Sequence, residues 1–493
     1  DAIAKAKKHG KRVAMCHGVF DLLHPGHVVH LHQARSKGDM LVVTVTPDRW
    51  VNKGPGRPMF NEKLRLATLA ALADVDFVAL NEWPDAARTI KLLKPDAYVK
   101  GSDYADADKD LSGKIRDEAD AVRSVGGELV LTDGFTSSSS RLINQFYSAY
   151  PPATQEFLDK LRGRRSADEI IGHLRGLSDL KVLVVGEAIL DEYCYSAPLG
   201  KSPKETIVST RFVSLERFAG GAVATANHMA GFCGEVTLLT TLGPDAGEEE
   251  FIRSKLRPNV RLELVRTPDR PTVRKQRYLD PEHLRKMFEV QFLEDKPISG
   301  AIEEKLASRV DALAGKHDLV VVNDFGHGML PVKLRKQLSA RKGYLALNTQ
   351  SNSANHGFNP VTNYERADFV SIDAPELHLA ARTKYGDDGE VSKLMQKKLR
   401  AKTFLVSLGA GGCLVQGKEG ITRAPALATK VVDRVGAGDA LFAITSPCAY
   451  KGVPIDILAF AGNCVGAMAV EIVCNREPVN PLKLYKFIET LLK

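Results

Sequence analysis

The chain has 493 residues, 44% apolar and 26% charged, with a formal charge of +8. That length is about three times an average domain, so one small and one large domain are expected rather than a single continuous core. No run approaches the roughly 20 apolar residues that span a bilayer. The 68 basic residues lie among 60 acidic ones without a basic helix, and the seven cysteines are scattered with no CxxC pair, which argues against a membrane protein, a nucleic-acid binder and a disulfide scaffold.

The opening DAIAKAKKHGKR is basic but runs into a strand-like stretch, not into an apolar segment with a cleavage site, so no secretion signal is read and a reducing, cytoplasmic setting is expected. From residue 12 to about 148, apolar runs (RVAMCHGVF, MLVVTVT, VDFVAL, DAYVKG, GELVLTD) alternate with amphipathic helical stretches. That alternation predicts a doubly wound α/β domain over residues 1–150, a parallel sheet covered on both faces.

Where the first strand gives way to the first helix stands His17-Gly-Val-Phe-Asp-Leu-Leu-His-Pro-Gly-His27. Pro25 suits an early helical position, His24 and His27 are three apart and face one ligand, and Gly26 lets a phosphate approach N–H groups at the positive helix end. The pattern fits a polyphosphate. Attack of a substrate phosphate oxygen on the α-phosphorus of a nucleoside triphosphate needs no protein nucleophile, only positioning and charge stabilisation, which two imidazole donors supply.

Pro151 and Pro152 break the first alternation, and a linker helix is expected over 151–178. A second alternation, with strands at KVLVVGEAIL, VTLLTTLG, DLVVVNDF, YLALN, DFVSID and TFLVSLG, predicts another α/β domain over 179–493. Near its end, Gly436-Ala437-Gly438-Asp439 precedes an apolar helical stretch. The glycine turn offers N–H groups for an anion hole, and Asp439 is placed to take a proton from a sugar hydroxyl attacking the γ-phosphorus of ATP.

The string GVFDLLHPGH, with Gly18 and Phe20, resembles the signature of the cytidylyl- and adenylyltransferase superfamily. The resemblance implies that Lys53, Arg57 and Arg65 hold the triphosphate, that Lys100 in YVKGSDY belongs to the site, and that Ser138, Ser139 and Ser140 receive phosphates like an ISTT-type motif. Residues 180–490 resemble the ribokinase (PfkB) group: VLVVGEAILDEYCY its first strand, FAGGAVATAN its sugar motif, SLGAGG its nucleotide loop and GAGD its anion hole. This implies sugar contacts from Glu187, Asp191, Gly220, Gly221 and Asn227, nucleotide contacts from Ser407, Gly409 and Gly412, and an indirect metal link through Glu376.

Four positions depart from that group: Glu187 for Asp, Val435 for Thr, Asp373 for Asn, and Asn348-Thr349-Gln350 for a DPK-like segment. Either the acceptor differs or the kinase has weakened. The two domains together resemble the bifunctional heptose-activating enzymes of lipopolysaccharide synthesis, in the reverse order. That resemblance implies phosphorylation of a heptose 7-phosphate-like sugar at O1 and nucleotidylation of a sugar 1-phosphate, with Mg²⁺ required, ATP as phosphoryl donor, ATP or CTP at the first site, and a homo-oligomer. Two alternatives remain at this level: a nucleotidyltransferase whose kinase-like half only binds sugar or regulates, and a nucleotide-sensing module without turnover.

Overall fold

The computed structural model describes residues 2–101, 113–132 and 139–493; Ser102 to Tyr104 of the YVKGSDY segment, Ser137 and Ser138 lie outside the described residues. Two compact α/β units result, residues 1–167 with 482–493 and residues 168–481. The stretch expected as one linker helix forms two, Pro152–Arg162 and Ala167–Arg175, and they fall in different units. Gly163 and the turn after it interrupt a pattern whose amphipathic spacing reads as continuous. Among the described residues no helix is long and apolar enough to cross a membrane.

The first unit has a five-stranded parallel sheet in the order Phe77–Leu80, Met40–Val45, Val13–Gly18, Ala97–Gly101, Glu128–Thr132. Successive residues of the central strand serve opposite faces. Ala14 and Cys16 pack with Leu31, Ala34 and Leu69 on one side, whereas Met15 packs with Ile90, Ala121 and Val122 on the other. Strands buried on both faces need helices on both, which is why the run is apolar throughout. The strand order reverses between Val13–Gly18 and Ala97–Gly101, and the carboxyl ends of those two strands carry the HPGH turn and Lys100.

The second unit has a nine-stranded sheet whose first seven strands are parallel: Val260–Arg266, Glu235–Leu242, Lys181–Gly186, Leu319–Asp324, Tyr344–Thr349, Phe369–Asp373 and Thr403–Ser407. Cys413–Gly417 and Gly420–Ala424 add an antiparallel edge. Val320, Val322, Leu345 and Leu347 of the central strands pack on Leu306, Val310, Leu334 and Leu338 of two covering helices. A separate four-stranded sheet, Arg285–Phe292, Val273–Asp280, Ala188–Lys201 and Val208–Gly221, branches off where the chain leaves Gly186. Helix Ala437–Tyr450 is buried from Asp439 to Cys448, so its first turn is held rigidly against the sheet.

Candidate active sites

At the end of strand Val13–Gly18 the chain turns through Phe20, which takes a left-handed φ of 50°. Non-glycine residues are held there only by their surroundings, a form of strain that clusters at functional sites. The Phe20 ring packs back over Gly18, within 3.0 Å of where a Cβ would stand, and lies 5.3 Å from the His27 ring. His24 is the N-cap of helix Pro25–Arg35: its backbone is extended and its Nδ1 accepts from the Gly26 N–H at 3.1 Å. That bond fixes the tautomer and leaves Nε2–H as a donor.

The His24 and His27 rings lie 4.0 Å apart, and His24 Nε2 and His27 Nδ1 are buried atoms with no hydrogen-bond partner. Buried polar atoms without partners are uncommon, and here two of them converge at a helix start. Burial, then the charges of His24, Lys53 and His30, push His27 down to about 3, so its imidazole is neutral at pH 7. Lys53 is pushed down to about 8, chiefly by burial. Arg57 sits 3.6 Å from Asp21, whose other oxygen accepts from the Phe60 N–H at 3.0 Å. A neutral imidazole pair beside two cations is suited to a triphosphate, whose negative charge replaces the missing solvent.

In the second unit Gly436 caps helix Ala437–Tyr450 with a φ of +85°, and a Cβ there would stand 2.1 Å from Asn475 Oδ1. Only glycine fits. A side chain at Gly438 would meet open space, so the N–H groups of this turn are approachable. Asp439 is buried, and its Oδ1 accepts from Asn323 Nδ2 at 3.2 Å and Gln350 Nε2 at 3.0 Å. Burial, outweighing those bonds, and the charge of Asp191 push its carboxyl up to about 7. A carboxylate with that affinity for protons is matched to accepting one near neutrality.

Residues 15–145 match the cytidylyltransferase-like family, and residues 179–478, more than half of the chain, match the pfkB family carbohydrate kinases. The chain belongs to the pfkB family of carbohydrate kinases. Its first unit is similar to the bifunctional protein HldE of Alkalilimnicola ehrlichii, 42% identical over 151 residues, and to that of Gluconobacter oxydans, 41% over 145 residues. Those matches cover 30% and 29% of this chain and the same shares of the relatives, so the matched span is under a third of each relative's length. In fold the chain is similar to Escherichia coli phosphofructokinase-2, both in its tetrameric inhibited form (15% identity, TM-score 0.50) and in complex with potassium (17%, 0.51), over 63% of this chain and 99% of each of those.

Several residues expected at the pfkB-type and transferase sites have other partners. Arg65, expected on the triphosphate, is buried and directed inward: Nε donates to Phe60 O at 2.9 Å, Nη1 to Val19 O at 2.5 Å, and Nη2 to Thr46 O and the Asp48 carboxylate at 2.8 and 2.6 Å. These bonds fasten the HPGH turn from behind. Lys100 is likewise buried, 3.0 Å from Glu118 and 3.4 Å from His17 O. Ser139 and Ser140 open helix Ser139–Phe146, and Ser139 Oγ donates to Leu22 O at 3.1 Å, which ties that helix start to the HPGH turn.

In the kinase unit Asn227 turns away from Asp439: its amide donates to Lys255 O at 2.9 Å and accepts from Arg257 N at 3.0 Å. Thr225, two residues earlier on the helix, accepts instead from Asn323 at 2.7 Å, and Asn323 reaches Asp439. Helical rotation between 225 and 227 decides which one faces the site. Asp191 carries an ion pair with Arg277 and lies directly over Gly220, where a Cβ would overlap its Oδ2. Glu187 accepts from the N–H groups of Phe325 and His327 at 3.0 and 3.1 Å, and burial and Asp324 push its carboxyl up.

Glu187 nonetheless lines a small cleft, about 20 Å³, shared with Thr241, Arg270, Thr272 and His327. Lys275, buried among charges that include those of Asp191 and Asp439, was not legible as a site residue from sequence, because its pairing opposite Asp191 arises only when the two strands meet in the fold. Gly409, with a φ of +56°, faces open space, whereas a Cβ at Gly412 would overlap Ala424 O, so that position requires glycine. Ser407 ends the strand that leads into this turn.

Glu376 forms a capping box with Asp373, its Oε2 accepting from Asp373 N at 3.0 Å and its Oε1 from Ser351 N at 2.8 Å. Burial first, then Asp373, push it up to about 8. Among the described residues no three metal-type ligands converge.

Proposed function

We propose that this chain activates a sugar in two steps, each at its own site. In the kinase unit a sugar hydroxyl gives its proton to Asp439 as its oxygen attacks the γ-phosphorus of ATP; the bond to the β-bridging oxygen breaks and ADP leaves. The Gly436–Gly438 turn holds the transferring phosphoryl charge; Mg²⁺, when bound, would neutralise phosphate charge there, and Glu376 is the residue that would link to it. In the first unit a sugar 1-phosphate oxygen attacks the α-phosphorus of ATP or CTP, the α–β anhydride bond breaks, and pyrophosphate leaves between His24, His27, Lys53 and Arg57. The acceptor is a heptose 7-phosphate-like sugar, the setting is cytoplasmic and the protein is a homo-oligomer.

The observation that carries this reading is the pairing, on one chain, of two unpartnered imidazole nitrogens at one helix start with a proton-accepting carboxylate at another. Incubating the full chain with ATP or CTP and a panel of sugar 7-phosphates and 1-phosphates, with ADP and pyrophosphate scored separately, tests it. Release of both products supports two activities. A second reading is favoured by Glu187 and Asp191 already holding backbone and arginine partners: a nucleotidyltransferase whose pfkB half binds sugar without phosphorylating it, which would release pyrophosphate alone.

A further inference from the structure

Residues 482–493 pack with the first unit, although the chain traverses the whole kinase unit before reaching them. Helix Pro481–Leu492 buries Leu484, Phe487, Ile488 and Leu491. Its Phe487 ring rests on Gly54, where φ is +88° and a Cβ would stand 2.0 Å from the ring. The loop carrying Lys53 and Arg57 therefore has glycine where the Phe487 ring rests on it. At the other end of the loop, Arg57 Nη2 donates to Asn144 Oδ1 at 3.1 Å, and Asn144 Nδ2 donates to Thr490 O at 2.6 Å. Arg162 fastens the same helix end by donating to Leu491 O at 3.0 and 2.7 Å.

The helix also acts through charge. After burial, and against the opposing effect of Asp21, the charges of Lys493, Arg57 and Lys486 help hold the Lys53 ammonium below its usual range. Cations that disfavour one another in the free protein are relieved when a polyanion binds among them. We infer that helix Pro481–Leu492 is a working part of the nucleotidyltransferase site: Phe487 and the Thr490 carbonyl set the position of the Lys53–Arg57 loop, and Lys486 and Lys493 extend its positive field toward a triphosphate. Phe487 and Asn144 are positioning residues. The inference rests on the transferase reading given above and adds to it a segment that lies outside the matched span of residues 15–145.

The test compares the full chain with its Phe487→Ala and Phe487→Leu variants. Pyrophosphate release and amide exchange over residues 51–60 are followed with and without Mg-ATP. Displacing a phosphate-holding loop by about 1 Å costs up to about 100-fold. The expected result for Phe487→Ala is a nucleotide KM raised by that order, kcat changed far less, and faster exchange in 51–60, with Phe487→Leu recovering most of the loss. Exchange in strand 13–18 and ADP release by the kinase unit stay at wild-type values, which separates loss of positioning from loss of folding. An unchanged KM, or exchange that rises equally in strand 13–18, overturns the inference. Should the wild-type chain release no pyrophosphate at all, the transferase reading is what has failed, and nucleotide-dependent protection of 51–60 in wild type but not in Phe487→Ala still decides the role of the helix.

Discussion

Asn323 donates one amide hydrogen to Asp439 Oδ1 at 3.2 Å and the other to Thr225 Oγ1 at 2.7 Å, so a neutral side chain is wedged between Asp439 and helix Ala222–Met229. The bond lowers the proton affinity of Asp439, against a larger effect of burial. Asn323→Asp replaces that donor with a like charge and should move the kinase rate profile to higher pH by a unit or more, since a neighbouring carboxylate disfavours ionisation. The pH dependence of kcat for ADP release in wild type and Asn323→Asp measures this directly.

The raised proton affinity of Asp439 also has a stability consequence. Its carboxyl lies near 3.8 when unfolded and about 7 when folded, so the folded state holds a proton across that interval which the unfolded state gives up. Its contribution to folding is present in full below about 3.8 and is lost as pH rises through about 7. Asp439→Asn, which cannot ionise, should therefore raise the melting temperature of the kinase unit at pH 8 relative to wild type, with the difference vanishing toward pH 4. Calorimetric scans at the two pH values report it; a lower melting temperature at pH 8 would contradict a carboxyl whose burial raises its proton affinity.

Arg65 should behave as a structural residue. Its guanidinium has four partners inside the unit, three of them backbone carbonyls behind the HPGH turn. Leaving a buried hydrogen-bonding group without its partner costs about 1–3 kcal/mol. Arg65→Ala is expected to lower the melting temperature of the first unit sharply while leaving that of the kinase unit alone, whereas Lys53→Ala changes nucleotide turnover without a comparable loss of stability. Two-domain calorimetry with parallel pyrophosphate assays distinguishes them.

Both α/β sheets were legible because their strands are continuous apolar runs separated by helical spacing, and parallel pairing demands that pattern. The HPGH turn and GAGD turn were legible for a related reason: proline, glycine and histidine at a helix start each have a local physical task. What the sequence concealed was direction. Arg65 and Lys100 are chemically suited to phosphate yet point into the protein, and Asn227 and Thr225 differ only by which face of one helix they occupy. The junction at 151–178 and the return of residues 482–493 to the first unit depend on packing between distant segments, for which local periodicity carries no signal.

The most direct measurement scores ADP and pyrophosphate from the same preparation for Asp439→Asn and for His24→Ala. General-base loss is worth about 10²–10⁴-fold and loss of one charge-stabilising donor about 10²–10³-fold. Asp439→Asn is expected to lose ADP release on that scale while still forming pyrophosphate from a supplied sugar 1-phosphate, and His24→Ala is expected to do the reverse. Two products that fall together in either variant, or a variant that leaves its own product unaltered, would contradict two independent sites on this chain.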